Sequence, residues 1–85
     1  MYFLYILQNR KAAHFYVGVT QNLETRLKSH NKGSTKSTKP YRPWMIMYHE
    51  SYDSKGEAYK REYFLKHPSG YLEKKKIIEK YRVSV

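Results

Sequence analysis

Three consecutive pieces of chain decide the fold: YFLYILQ (residues 2–8), NRKAA (9–13) and HFYVGVT (14–20). The outer two are dense in aromatic and β-branched residues, which suit a pleated backbone, and the middle one is polar enough to turn. They predict an antiparallel hairpin. Because apolar residues occupy both of its faces, the hairpin belongs inside the fold rather than along one solvated side. Placing Tyr5 opposite Tyr16 sets Phe3 against Gly18 and Leu7 against His14, and puts both tyrosines on one face of the sheet. Gly18 shares that face, where a missing side chain leaves room for close approach to the backbone.

A helix is expected from the N-cap Asn22 to His30. Leu23 and Leu27, four residues apart, mark its buried edge, and Arg26 and His30 flank that edge at the same spacing. Residues 31–42, NKGSTKSTKPYR, read as a basic loop punctuated by Gly, Ser, Thr and Pro. WMIMYHES (44–51) predicts a third strand. Ser54-Lys55-Gly56-Glu57 forms a capping box that opens a helix to Lys66, Pro68 and Gly70 break it, and 71–81 form a last basic amphipathic helix. The expected architecture is α+β: a three-stranded antiparallel sheet, made of the N-terminal hairpin and a third strand, flanked by helices.

The 85 residues suit one domain over 1–85, with a modest core: a chain of this size buries only roughly 60–65% of its unfolded surface. There is no cysteine, so neither disulfides nor Cys-based zinc can reinforce it, and a reducing cytoplasm is the expected location. No apolar run approaches the ~20 residues of a membrane span, and the run from Met1 to Leu7 is too short for a signal peptide.

Seventeen Lys+Arg against seven Asp+Glu give a formal net charge of +10. Such a field attracts polyanions, and nucleic acid is the commonest. Lys32, Lys36, Lys39 and Arg42 form one concentration, and Lys60, Arg61, Lys66, Lys74, Lys75, Lys76, Lys80 and Arg82 a second. The ten tyrosines are half-buried core residues in the plainer reading, and base-stacking rings beside the cations in the other.

Glu62 lies four residues after Ala58 and three before Leu65, on the apolar stripe of its helix. A carboxylate there is either paired with Lys66 at i+4 or holds a cation such as Mg²⁺, which takes one or two carboxylates plus waters and phosphate oxygens. Arg26 and His30 are likewise either a solvated face or working groups. Two tyrosines, an arginine, a histidine and a glutamate are also the parts of a phosphodiester hydrolase: charge stabilisation, proton relay and metal placement. A phosphate-cradling loop, H-E-x-x-H and G-x-S-x-G are all absent, and no small-molecule cofactor is called for. His14, His49 and His67 lack metal-ligand spacing and read as surface or interface residues.

FLYIL (3–7), FYVGVT (15–20), R-x-x-x-H at Arg26 to His30 and E-A-x-x-x-E at 57–62 together resemble the GIY-YIG endonuclease superfamily. The resemblance spans residues 2–66, with the elements in the family's order. It is strongest to the small stand-alone domain proteins, and extends to the N-terminal nuclease domain of the UvrC excision-repair subunit. It implies hydrolysis of DNA phosphodiester bonds with a single Mg²⁺ or Mn²⁺, in repair or recombination. Under it, Tyr5, Tyr16, Arg26 and His30 are the catalytic candidates, Glu62 the metal ligand and Gly18 the last residue of the YIG motif. Tyr5 would help deprotonate the attacking water if a cation, Arg26 or a metal at Glu62, lowers its pKa, while Tyr16 and His30 position water or phosphate. Lys32, Lys36, Lys39, Arg42, Lys74, Lys75 and Lys76 would grip the DNA backbone. The sequence departs from the family at Phe3, Leu4 and Val17, which stand for the glycine and isoleucine of GIY and the middle of YIG. No asparagine follows Asn31, where many members have one. No targeting domain is attached, so specificity would come from this domain or a protein partner. A module that keeps the fold and binds nucleic acid without cutting it is the alternative.

Overall fold

The structure is a computed structural model and describes residues 1–84. Strands β1 (Tyr2–Asn9), β2 (Phe15–Thr20) and β3 (Trp44–Tyr52) form an antiparallel sheet in the order β2-β1-β3. Helices α1 (Leu23–Lys32), α2 (Lys55–Lys66) and α3 (Tyr71–Tyr81) pack on it. The expected three-stranded α+β architecture is therefore present, with β1 as its central strand.

Alternation along β1 sorts the core into two layers. Leu4 and Ile6 face one way, into a cluster with Val17, Met47, Leu65 of α2 and Ile77 of α3. Tyr5 and Leu7 face the other way, with Trp44, and Leu23 and Leu27 of α1 pack against them. One helix thus covers the tyrosine face and two cover its reverse. A one-residue bulge at Met47 interrupts the β1–β3 pairing between Ile6↔Tyr48 and Leu7↔Ile46.

The hairpin register corrects the expected one. Tyr5 pairs with Gly18, Leu7 with Tyr16 and Phe3 with Thr20. The displacement is two residues, so the faces are preserved and both tyrosines still point to the same side. The turn is longer than a minimal one because Asn9 organises it: its Oδ1 accepts from the Ala13 and His14 amides, both at 3.0 Å. Ala12 completes it at φ 54°.

The starts of α1 and α2 follow their sequence signals. The Asn22 side chain accepts from Thr25 N at 3.0 Å, and Ser54 Oγ from Glu57 N at 3.2 Å. Helix α1 runs two residues past His30 and closes on Gly33, whose φ of 87° suits a residue without Cβ. In the last turn of α1, Asn31 clamps the start of β3: its Oδ1 accepts from Trp44 N at 2.7 Å and its Nδ2 donates to Trp44 O at 3.1 Å. Gln8, buried on β1, does the same for the segment after α3, pairing with Val83 N and O at 2.9 and 2.7 Å.

Behind the sheet, Glu50 anchors α2. It accepts two bonds from Arg61, each 3.0 Å long, and one from each of the Tyr48 and Tyr52 hydroxyls. Burial alone would raise this carboxyl, but its four donors outweigh burial and hold it below the usual range. The two phenols are pushed up to about 12 by burial and by Glu50. The array fixes the helix that carries Glu62.

Candidate active site

Tyr5 is the centre of the site. It stands on the middle strand, fully buried, with its ring folded across Gly18. A Cβ at Gly18 would lie 2.5 Å from the Tyr5 Oη and 2.6 Å from Cζ. The space left by the missing side chain is therefore filled by the tyrosine paired with it.

Two side chains from α1 meet the phenol. His30 Nε2 lies 2.9 Å from Tyr5 Oη, and Arg26 Nε donates to the same oxygen at 3.3 Å. Tyr16 closes the cluster from β2, its ring centroid 5.0 Å from that of His30 and 6.5 Å from that of Tyr5. Four of the residues singled out in the sequence are thus in one group, although they come from three elements.

The burial of the group differs from expectation. Leu23 and Leu27, the expected buried edge of α1, are only half-buried, whereas His30 has no exposed surface. Both its ring nitrogens bond inside the protein, Nδ1 to Thr38 Oγ1 at 2.9 Å. His30 therefore reaches a substrate only through Tyr5, and the expected direct contact with water or phosphate does not match its place. Burial, together with the adjacent Arg26 charge, pulls the imidazole down to about 4, so the ring is neutral at pH 7. Tyr5 also departs from expectation. Burial pushes its phenol above the ordinary value, and the hydrogen bond and charge of Arg26 pull the other way without cancelling it.

Glu62 reaches the cluster through Lys66. The Lys66 ammonium lies 3.3 Å from Glu62 Oε2 and 5.2 Å from the centroid of the Tyr16 ring. The pairing read as the plainer alternative for Glu62 is thus formed. The Glu62 side chain is 21% exposed, and its charge acts on Tyr5, helping to raise that phenol. Among the described residues, no three His, Cys, Asp or Glu side chains converge to cage a metal. A lone carboxylate near a phenol suits a single hard cation that draws its remaining ligands from water and phosphate. Glu62 is the residue that would hold it.

Two threonines of the loop after α1 belong to the same construction, and the sequence reading missed them. Arg26 Nη2 donates to Thr35 Oγ1 at 3.4 Å, while Thr38 holds His30 and has its carbonyl held by Trp44 Nε1 at 2.8 Å. Their only sequence signal was their place in a loop already suspected of function.

The cations divide between two sides. Lys32, Lys36, Lys39 and Arg42 are exposed on the α1 side, in or beside the loop that carries the two threonines. Lys74, Lys75 and Lys76 sit on α3, against the opposite face of the sheet. The hairpin turn lies between them. Arg10, Lys11 and Arg42 line a cleft on one side of Ala13 and His14, and Lys74, Lys75 and Arg82 line a cleft on the other. Lys76 faces a separate cleft with Tyr48 and Arg61. His14 is exposed, stacked on Tyr41 at 3.8 Å, and His67 stacks on Tyr63 at 3.6 Å.

The cluster around Tyr5 sits in a domain of a nuclease family. The family described as the GIY-YIG catalytic domain matches residues 1–77, and the chain belongs to it. Its relatives place it among the small UPF0213 members. It is 39% identical to a UPF0213 protein of Staphylococcus haemolyticus over 66 residues, 76% of this chain and 79% of that one. It is 40% identical to one of Clostridium perfringens over 67 residues, 78% and 71% of the two chains. The solution structure of a UPF0213 protein from Bacillus halodurans superimposes with a TM-score of 0.56 at 28% identity, covering 96% of this chain and 88% of that one. No described helix is long and apolar enough to cross a membrane.

Proposed function

We propose that this protein is an endonuclease that hydrolyses DNA phosphodiester bonds with one Mg²⁺ or Mn²⁺ at Glu62, in repair or recombination. The observation that carries the proposal is the Tyr5 hydroxyl held between His30 Nε2 and Arg26 Nε. A raised phenol is a weak base at neutral pH unless its own proton has somewhere to go. His30 is that destination. As the water oxygen bonds to phosphorus, the water proton passes to Tyr5 Oη and the Tyr5 proton to His30 Nε2. The P–O bond to the leaving oxygen breaks with its electron pair, and that oxygen takes a proton from solvent. Arg26 faces both the phenol and the reacting phosphate, stabilising charge on each. Burial is the larger cause of the depressed His30 value and Arg26 repulsion the smaller; the phosphate's own negative charge beside Arg26 offsets the second and makes His30 a better acceptor during reaction. When bound, the metal polarises the phosphate oxygen.

DNA as substrate rests on the net charge of +10 and the exposed cations around the loop. A binding module without cleavage is the second reading, favoured by the Lys66–Glu62 pair, which places an ammonium where a metal would bind. Cleavage assays decide between them. Duplex, single-stranded and branched DNA are incubated with Mg²⁺, Mn²⁺ or chelator. Cleavage that requires the metal, and that Glu62→Ala and Arg26→Ala abolish while DNA binding persists, is the expected result. No cleavage of any substrate with either metal overturns the proposal.

A further inference from the structure

We propose that Thr38 is a positioning residue that fixes the His30 imidazole as its Nδ1–H tautomer, leaving Nε2 as the proton acceptor facing Tyr5. The hydrogens available along a buried chain of bonds fix the tautomer. Tyr5 Oη has one hydrogen and two hydrogen-bonding neighbours, His30 Nε2 at 2.9 Å and Arg26 Nε at 3.3 Å. A guanidinium cannot accept, so the hydroxyl hydrogen points at Nε2. In a neutral ring the other nitrogen then carries the hydrogen, and Nδ1 donates to Thr38 Oγ1 across 2.9 Å.

The far end agrees. The Thr38 hydroxyl has its own hydrogen to place, and it donates to the Thr35 carbonyl at 3.3 Å. A carbonyl only accepts, so the chain ends there. The opposite tautomer would leave the Tyr5 hydrogen aimed at an N–H, with no acceptor among its bonded neighbours, at a position where Tyr5 and Thr38 are each about 1% exposed. Every hydrogen thus runs one way: Tyr5 to His30, His30 to Thr38, Thr38 to Thr35. The loop holds that direction rigidly, since Trp44 Nε1 grips the Thr38 carbonyl at 2.8 Å and the Lys39 amide donates to Thr35 O at 2.9 Å.

Thr38 touches no reacting atom. Its effect on cleavage, which rests on the nuclease reading above, comes from keeping a lone pair rather than an N–H in front of Tyr5. A neighbour that orients an imidazole governs a step of this kind. The choice between tautomers itself needs no substrate.

The test is long-range ¹H–¹⁵N NMR of the full chain at pH 7, which distinguishes the protonated from the unprotonated ring nitrogen of His30. The wild type and Thr38→Ser are expected to carry the hydrogen on Nδ1. In Thr38→Val, which removes the hydroxyl at nearly constant shape, the ring should shift towards Nε2–H. Cleavage by Thr38→Val should fall in kcat by roughly ten- to a hundredfold with KM little changed, the scale of losing a residue that orients another, and Thr38→Ser should recover most of it. Hydrogen on Nε2 in the wild type overturns the inference. So does an unchanged tautomer in a folded Thr38→Val, or an altered one in Thr38→Ser. If Thr38→Val does not fold, the wild-type and Thr38→Ser spectra still decide. A wild type that cleaves no DNA but carries Nδ1–H would sink the nuclease reading and leave the assignment of Thr38 standing.

Discussion

At the residue scale the site depends on one missing side chain. Gly18 is required not for backbone freedom but because the Tyr5 ring occupies the position of its Cβ. Replacing it with alanine forces the ring off its bonds to His30 and Arg26. Gly18→Ala is expected to lose roughly 1–3 kcal/mol in urea denaturation, the usual cost of overpacking, and cleavage should fall much further than stability explains. His30 gives a second measurable consequence. Its folded value of about 4 lies below the unfolded value near 6.5, so between these limits the unfolded chain binds more protons. The stabilisation is fully present above pH 6.5 and is lost as pH falls through that window to about 4. The loss should be about 2–3 kcal/mol, measured as urea midpoints across the window. His30→Phe should flatten the dependence across that window.

At the level of elements, local signals and their limits are both visible. Asn22 and Ser54 cap α1 and α2 in the positions their side chains announce, because an N-cap is a contact made within one turn. Ser54→Ala should therefore cost about 1 kcal/mol by thermal or urea unfolding, while cleavage well below the transition stays near wild type, since Glu62 lies two turns further along α2. The hairpin was legible as a hairpin, and alternation placed both tyrosines on one face. Its register was not legible, because the turn is set by the Asn9 side chain and by Ala12 at positive φ, and no glycine marks either. The burial of His30 was hidden for a related reason. A histidine on a short helix reads as an edge residue until its partners are known, and they lie at Tyr5, 25 residues back, and Thr38, in an irregular loop. Glu62 could be placed on its stripe but not assigned between Lys66 and a metal, since both use the same carboxylate.

For the whole molecule the question is how a basic body meets a polyanion. The loop cations stand on the side of the Tyr5 cluster, and those of α3 stand behind the sheet. A straight duplex lying on the site touches the first set and not the second. Reversing Lys36, Lys39 and Arg42 to glutamate should reduce the slope of log affinity against log salt by about 2–3, at ~0.9 per duplex phosphate contact. Reversing Lys74 and Lys75 should change it less, and titrations at several salt concentrations measure both. Equal effects would mean that the DNA bends around the hairpin turn, where the two clefts meet at His14. The order of the strands also sets the order in which the working parts come together. The β1–β2 hairpin and α1 can form from the first third of the chain, but Thr38 is held by Trp44, and Trp44 enters only when β3 pairs with β1 across a long loop. Long-range closure of this kind is slow relative to hairpin and helix formation. During synthesis and refolding the Thr38 wall of the His30 pocket is thus among the last parts to close, and a chain halted before β3 has its tyrosine hairpin and α1 but not the Trp44 bond that fixes the loop behind His30.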